Sequence, residues 1–153
     1  MKFLELRIPP PIVGLTIGAG MWAVAHLPLL LPVPRLFRLL VAVLLFATGV
    51  AVALGGVASF RRARTTVNPL KPETTAALVA TGVYSFTRNP MYLGMVLVLL
   101  AWAVLLASVW SLAGPALFAL YITRYQIVPE ERALAELFGE SFAAYRRRVR
   151  RWI

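Results

Sequence analysis

Residues 88–131 read "RNPMYLGMVLVLLAWAVLLASVWSLAGPALFALYITRYQIVPEE", and the reading of this stretch decides the fold. From Met91 to Pro129 the chain is apolar except for a few hydroxyls, Gln126 and a single charge, Arg124. That is about twice the ~20 residues needed to cross a bilayer once. It fits two spans of about 18 residues each. A tight turn is expected between Ser108 and Pro115. An out-and-back path has a chemical consequence. Arg88 and Asn89 stand where the first span begins, and Glu130 and Glu131 stand where the second one ends. Residues far apart in sequence are thereby predicted at one membrane level. Arg88 can pair there with a glutamate, or both can clasp a zwitterionic ligand. Tyr84 and Tyr92 offer rings and hydroxyls at the same level. Arg124 comes from the same end of the hairpin.

Two further apolar runs precede this hairpin. Ile12 to Leu31 lacks any charge and has the length of a span; its Gly14 and Gly18 form a G-x-x-x-G, read as close helix packing. After the proline-broken loop "LPVPRLFR", a second run extends from Leu39 to Phe60. Residues 61–90 are too polar and too broken to span, and hold at most a short helix around Thr74 to Ala80. The last segment, Glu130 to Ile153, reads as an amphipathic helix. Leu134, Phe138, Phe142, Tyr145, Val149 and Trp152 recur at steps of three or four, and Arg146, Arg147, Arg148, Arg150 and Arg151 crowd its end. Such a helix is expected along the membrane surface. The fold class is therefore all-α: a polytopic membrane helix bundle of about four transmembrane helices plus a C-terminal amphipathic helix. Residues 1–153 form a single domain, with two N-terminal spans in 1–64 and the functional core in 65–153.

Four spans put both termini on one side. Of the sixteen Lys and Arg, only Arg35 and Arg38 fall on the other. The positive-inside bias then places both termini, the middle loop and the polar cluster in the cytosol. A chain that is 60% hydrophobic, with a mean hydropathy of +0.78, suits a membrane far better than water. Its net charge of +10 flanks apolar runs and forms no separate basic domain, so no nucleic-acid partner is expected. The N-terminus "MKFLELRIPPP" has no small-residue cleavage site and reads as mature chain. With no cysteine and His26 as the single histidine, disulfides, thiolate chemistry and a histidine-clustered metal site are excluded. His26, at the opposite face, is read as interfacial.

"GVYSFTRNPMYLG", followed later by "EERALAELFGESFAAYRRRVRRW", resembles the isoprenylcysteine carboxyl methyltransferase and phospholipid N-methyltransferase group of integral membrane methyltransferases. The matched positions are Gly82, Tyr84, Arg88, Pro90, Tyr92, Gly94, Glu130, Glu131, Phe138, Gly139 and Tyr145. The likeness covers roughly residues 65–153. Two positions depart from the pattern. Asn89 stands where the eukaryotic isoprenylcysteine enzymes have histidine, and it cannot carry a proton near neutral pH. Phe142 replaces the first tyrosine of the later motif.

The resemblance implies S-adenosylmethionine as methyl donor, with S-adenosylhomocysteine as product and no metal. It implies cofactor binding by Gly82, Tyr84, Arg88, Asn89, Tyr92, Gly94, Glu130, Glu131 and Tyr145, with Arg88, Glu130 and Glu131 closest to the chemistry. The acceptor is expected to be a membrane-soluble, prenyl- or lipid-like carboxylate or amine. The C-terminal helix is expected to lid the cofactor, with Tyr145 turned inward. The location implied is a membrane, with a bacterial inner membrane as the expected one. Two other readings stand beside this one: an NADPH-dependent membrane reductase of related fold, and a non-enzymatic membrane protein.

Overall fold

The structure is a computed structural model that describes residues 5–63 and 77–153. Among these residues every regular element is a helix. The first, α1 (Pro10–Val24), begins on prolines, which lack the N–H that a first helical turn leaves unused. It has 15 residues and stops well before Leu31, where the apolar run ends. Pro28 explains the early stop, because its ring would collide with the carbonyl of Val24 in a continued helix. The remainder of the run is a non-helical link. Leu31 donates its N–H to the Ala107 carbonyl at 2.7 Å, and Leu29 accepts from Val109 at 3.2 Å. This link is thereby fastened to the far turn of the hairpin.

The second helix, α2 (Arg35–Arg62), has 28 residues. Among the described residues it is the one helix both long and apolar enough to cross a membrane. The apolar helices α1 and α3 (Pro90–Leu106) are shorter, at 15 and 17 residues. Ala107, at φ 49° and ψ 37°, closes α3 in the left-handed conformation. A short 3-10 turn at Trp110–Leu112 then leads into α4 (Ala113–Ile122). The turn thus falls between Ser108 and Pro115, as the sequence indicates.

The C-terminal third differs from the expectation of a separate surface helix. From α4 the chain passes through one π-helical turn, Thr123–Ile127, directly into α5 (Val128–Arg148), which ends five residues short of the C-terminus. Pro129 accounts for the widened turn. It lacks the N–H that would bond the Tyr125 carbonyl, and its ring crowds that oxygen. The freed Tyr125 carbonyl accepts instead from the Leu6 N–H at 3.0 Å. Glu5 reinforces this strap by pairing with both Arg124, at 3.0 Å, and Arg132. Arg124 therefore serves the N-terminal strap and not the polar cluster. Within α5, Gly139 takes φ 48° and ψ −121°, which breaks the helix into two arms. Of the short helix expected around Thr74 to Ala80, residues 74–76 lie outside the described residues, as does the 64/65 division. Leu78–Ala80 are not helical.

Helix α2 packs chiefly on α3, and α1 packs on α4 and α3. The α2–α3 contact is backbone to backbone. A Cβ on Gly94 would stand 2.5 Å from the Gly49 carbonyl oxygen, and one on Gly49 would stand 2.7 Å from that of Gly94. Val13, Met21, Tyr92, Leu99, Phe118, Ile122 and Ile127 form the central core. Leu15, Leu36, Leu44 and Leu120 face outward at 67–75% exposure, an apolar exterior suited to lipid.

Candidate active site

The site lies where α3 begins and α5 begins. Glu130, in the first turn of α5, is partly buried, and its Oε1 accepts hydrogen bonds from the Tyr92 hydroxyl and, at 3.0 Å, from Gln126 Nε2. Burial pushes its carboxyl up to about 7, and the charge of Glu131 adds to this; the two hydrogen bonds oppose the rise. Glu131 faces a different set of partners. Arg151 grips it with two hydrogen bonds, Nε to Oε1 at 3.0 Å and Nη2 to Oε2 at 2.7 Å. Arg88 Nη1 lies 3.1 Å from the same Oε1.

The Arg88–Glu131 contact is an ion pair without hydrogen-bond geometry. Buried Nε and Nη1 of Arg88 have no hydrogen-bond partner among the described residues. Burial lowers the Arg88 pKa, opposed by Glu131 and assisted by the nearby Arg146 and Arg151. Two guanidinium groups thus share one carboxylate, while burial holds the second carboxyl well above the ordinary carboxylate range. The cluster is cationic and keeps unused donors. An anionic ligand group, a carboxylate above all, is what such a cluster accommodates.

The junction that precedes α3 is held by the C-terminal tail. The Arg88 N–H donates to the Arg150 carbonyl at 3.0 Å. The Asn89 side chain donates through Nδ2 to the Arg151 carbonyl at 2.9 Å, and Thr87 Oγ1 donates to the same oxygen at 3.3 Å. Asn89 therefore ties the tail to the start of α3. Its amide does this without a titratable proton.

Tyr84 and Tyr145 form the neighbouring wall. The Tyr145 hydroxyl donates to the Tyr84 carbonyl at 2.8 Å, and the Tyr84 ring meets Phe60 edge-on at 5.3 Å. Burial raises the pKa of both phenols, that of Tyr145 to about 12. Phe142, Tyr145 and Val149 are buried against Leu78, Ala80, Leu134 and Phe138. The apolar stripe of α5 thus faces the protein, and the break at Gly139 lets its second arm fold onto residues 78–89. Gly82, at φ 64°, opens the 3-10 turn that carries Tyr84, and a Cβ there would meet Ser59 Oγ at 3.1 Å.

Tyr84, Arg88, Asn89, Glu130, Glu131 and Tyr145 are therefore gathered around α5 and the tail, with Tyr92 joined through Glu130. Gly94 stands apart, facing α2 and not the polar cluster. Against these observations, the match of a family model has structural meaning. The phospholipid methyltransferase model matches residues 37–141, which contain most of α2, all of α3, both glutamates and the Arg-Asn-Pro junction. The chain belongs to the phospholipid methyltransferase family.

Membership gives the chain a methyltransferase activity with lipid-like substrates at the level of the family, and associates it with a membrane. It is also similar to an uncharacterized protein of Haemophilus influenzae, 40% identical over 63 residues, which cover 41% of this chain and all of that one. No solved structure matches the chain. The family match ends at residue 141, before the tail whose Arg151 holds Glu131. Sequence reasoning missed that arginine because nothing distinguishes it within a run of five. It also missed Gln126, although a glutamine four residues before Glu130 on a helix is a readable signal.

Proposed function

We propose that this phospholipid methyltransferase family member is an S-adenosylmethionine-dependent enzyme embedded in a membrane through several helices. It would methylate a lipid-like carboxylate or amine at the cytosolic face of a bacterial inner membrane. The observation that carries the reading is the cationic pair Arg88 and Arg151 on a single carboxylate, with buried Arg88 donors left over. These residues fit the cofactor's amino-acid end. Arg88 would hold the carboxylate, and Glu130 or Glu131 the ammonium. Tyr84, Tyr92 and Tyr145 supply buried walls, and α5 closes over them as a lid. When bound, the cofactor supplies a sulfonium-activated methyl group.

The protein's own contribution is alignment and exclusion of water. The start of α5 carries Glu130 and Glu131, the junction before α3 carries Arg88 and the tail after α5 carries Arg151, while the folded-back arm of α5 packs beside them on Leu78, Ala80 and Tyr84. With a carboxylate acceptor, opposite charges disappear in the transition state, and no base is required. With an amine acceptor, a proton has to leave, and Glu130 is suited to take it because its carboxyl titrates near 7. A membrane enzyme of this kind meets its acceptor where that acceptor resides. The test is incubation of the purified protein with methyl-labelled S-adenosylmethionine and a bacterial lipid extract. Label entering an extractable lipid supports the reading, and label remaining wholly in the donor contradicts it.

A further inference from the structure

A large apolar groove runs between α1 and α2, which barely touch each other, and α3 forms its floor. Its volume is about 1120 Å³. Its floor runs along α3 from Gly94 to Leu105. At 1.5 Å per residue that is roughly 16 Å. The hydrocarbon core of a bilayer is ~30 Å thick, so the groove is about as long as one leaflet is deep. A single acyl chain has that reach.

The end of the groove far from Glu130 has an unusual charge. Trp22, Leu39, Trp102 and Leu105 line it there. Beside Leu39, Arg38 sends Nη1 to the Leu105 carbonyl at 3.2 Å, while its buried Nε has no hydrogen-bond partner among the described residues. Arg35 is exposed at the very start of α2. That helix start has no side-chain cap and no acid in its first turn, so its own dipole adds positive potential. The sequence has no Asp at all, and no Glu between Glu5 and Glu73 or between Glu73 and Glu130. Among the described residues no carboxylate pairs with either arginine or with the helix end, and they sit at the mouth of a chain-sized apolar groove.

We propose that this groove binds one chain of an anionic glycerophospholipid, whose phosphate is held by Arg35, Arg38 and the start of α2. This lipid is not the methyl acceptor. Leu105, which Arg38 touches, lies thirteen residues along α3 from Tyr92, which touches Glu130. That separation is roughly 20 Å. The lipid instead fills the gap between α1 and α2 and fixes their spacing. The inference rests on membrane embedding alone and is independent of the cofactor.

Native mass spectrometry of the detergent-purified protein tests it, with dioleoyl phosphatidylglycerol and dioleoyl phosphatidylcholine added in equal amounts. Two arginines near a phosphate predict roughly tenfold or greater retention of the phosphatidylglycerol. The Arg35→Gln/Arg38→Gln double variant is expected to lose that preference. Arg35→Gln alone, at an exposed position independent of the α3 contact, is expected to lose part of it. Ala47→Trp, which fills the groove, should abolish retention of both lipids. Arg147→Gln/Arg148→Gln, at exposed positions near the C-terminus, should change nothing. Equal retention of the two lipids by the wild type overturns the proposal. So does a preference that persists in the double variant, survives Ala47→Trp, or disappears in Arg147→Gln/Arg148→Gln.

Discussion

At the scale of single residues, Arg88 and Glu130 carry opposite kinds of tension. Arg88 is partly buried beside a carboxylate that Arg151 already holds by two hydrogen bonds. Under the proposed function its unfilled donors would hold the cofactor's carboxylate. Arg88→Ala is expected to weaken S-adenosylmethionine binding roughly ten- to hundredfold, the equivalent of a charge-assisted contact of about 1.5–3 kcal/mol. Arg88→Lys should not restore it, because an ammonium cannot reproduce a two-pronged contact. Calorimetric titration measures both, and wild-type affinity in the alanine variant would reduce Arg88 to a membrane anchor. Glu130 makes a prediction about pH. Its folded pKa, about 7, lies above the ordinary 4.5, so the folded state holds a proton that the unfolded state gives up. The associated stability is fully present below pH 4.5 and is lost as pH rises through 7. The unfolding temperature in detergent should therefore fall across that window, and Glu130→Gln should flatten the fall. An equally steep fall in the variant would assign the effect to another group.

Among the elements, α2 and α3 form the most extensively packed pair. Gly94→Ala would drive a methyl group to 2.5 Å from the Gly49 carbonyl and 2.8 Å from the Ala53 Cβ, and neither neighbour is a flexible side chain. Overpacking of this kind costs typically about 1–3 kcal/mol. A lowered unfolding temperature is expected, whereas Gly20→Ala, whose Cβ meets nothing, should be tolerated. An unchanged melting temperature for Gly94→Ala would contradict the close packing. Gly94 also shows where sequence reasoning went only part of the way. Its place in the motif was legible, yet a motif does not say whether a glycine faces a ligand or another helix. The hairpin, its turn and the meeting of Arg88 with Glu131 were legible, because apolar length and turn residues are local signals. The early end of α1 at Val24 was written in Pro28, but the uninterrupted apolar composition obscured it. The back-folding of α5 depends on one positive φ at Gly139, and helical periodicity carries no such information.

For the molecule as a whole, the charge pattern proposes one arrangement. Four spans would return the C-terminus to the side where the N-terminus starts; the Glu5 strap joins the N-terminal segment to the π turn next to the site. Topology reporters fused after Pro34 and after Ile153 are expected to read opposite sides of the membrane, with the C-terminal one cytosolic. Reporters on the same side would refute the span count.

The central claim is that the cluster of Arg88, Glu130 and Glu131 binds S-adenosylmethionine, and direct titration of the detergent-purified protein with S-adenosylmethionine and, separately, NADPH tests it most directly. Saturable binding of S-adenosylmethionine is expected, weakened by Arg88→Ala, with no binding of NADPH. Binding of NADPH in its place, or of neither cofactor by a well-folded preparation, would contradict the account.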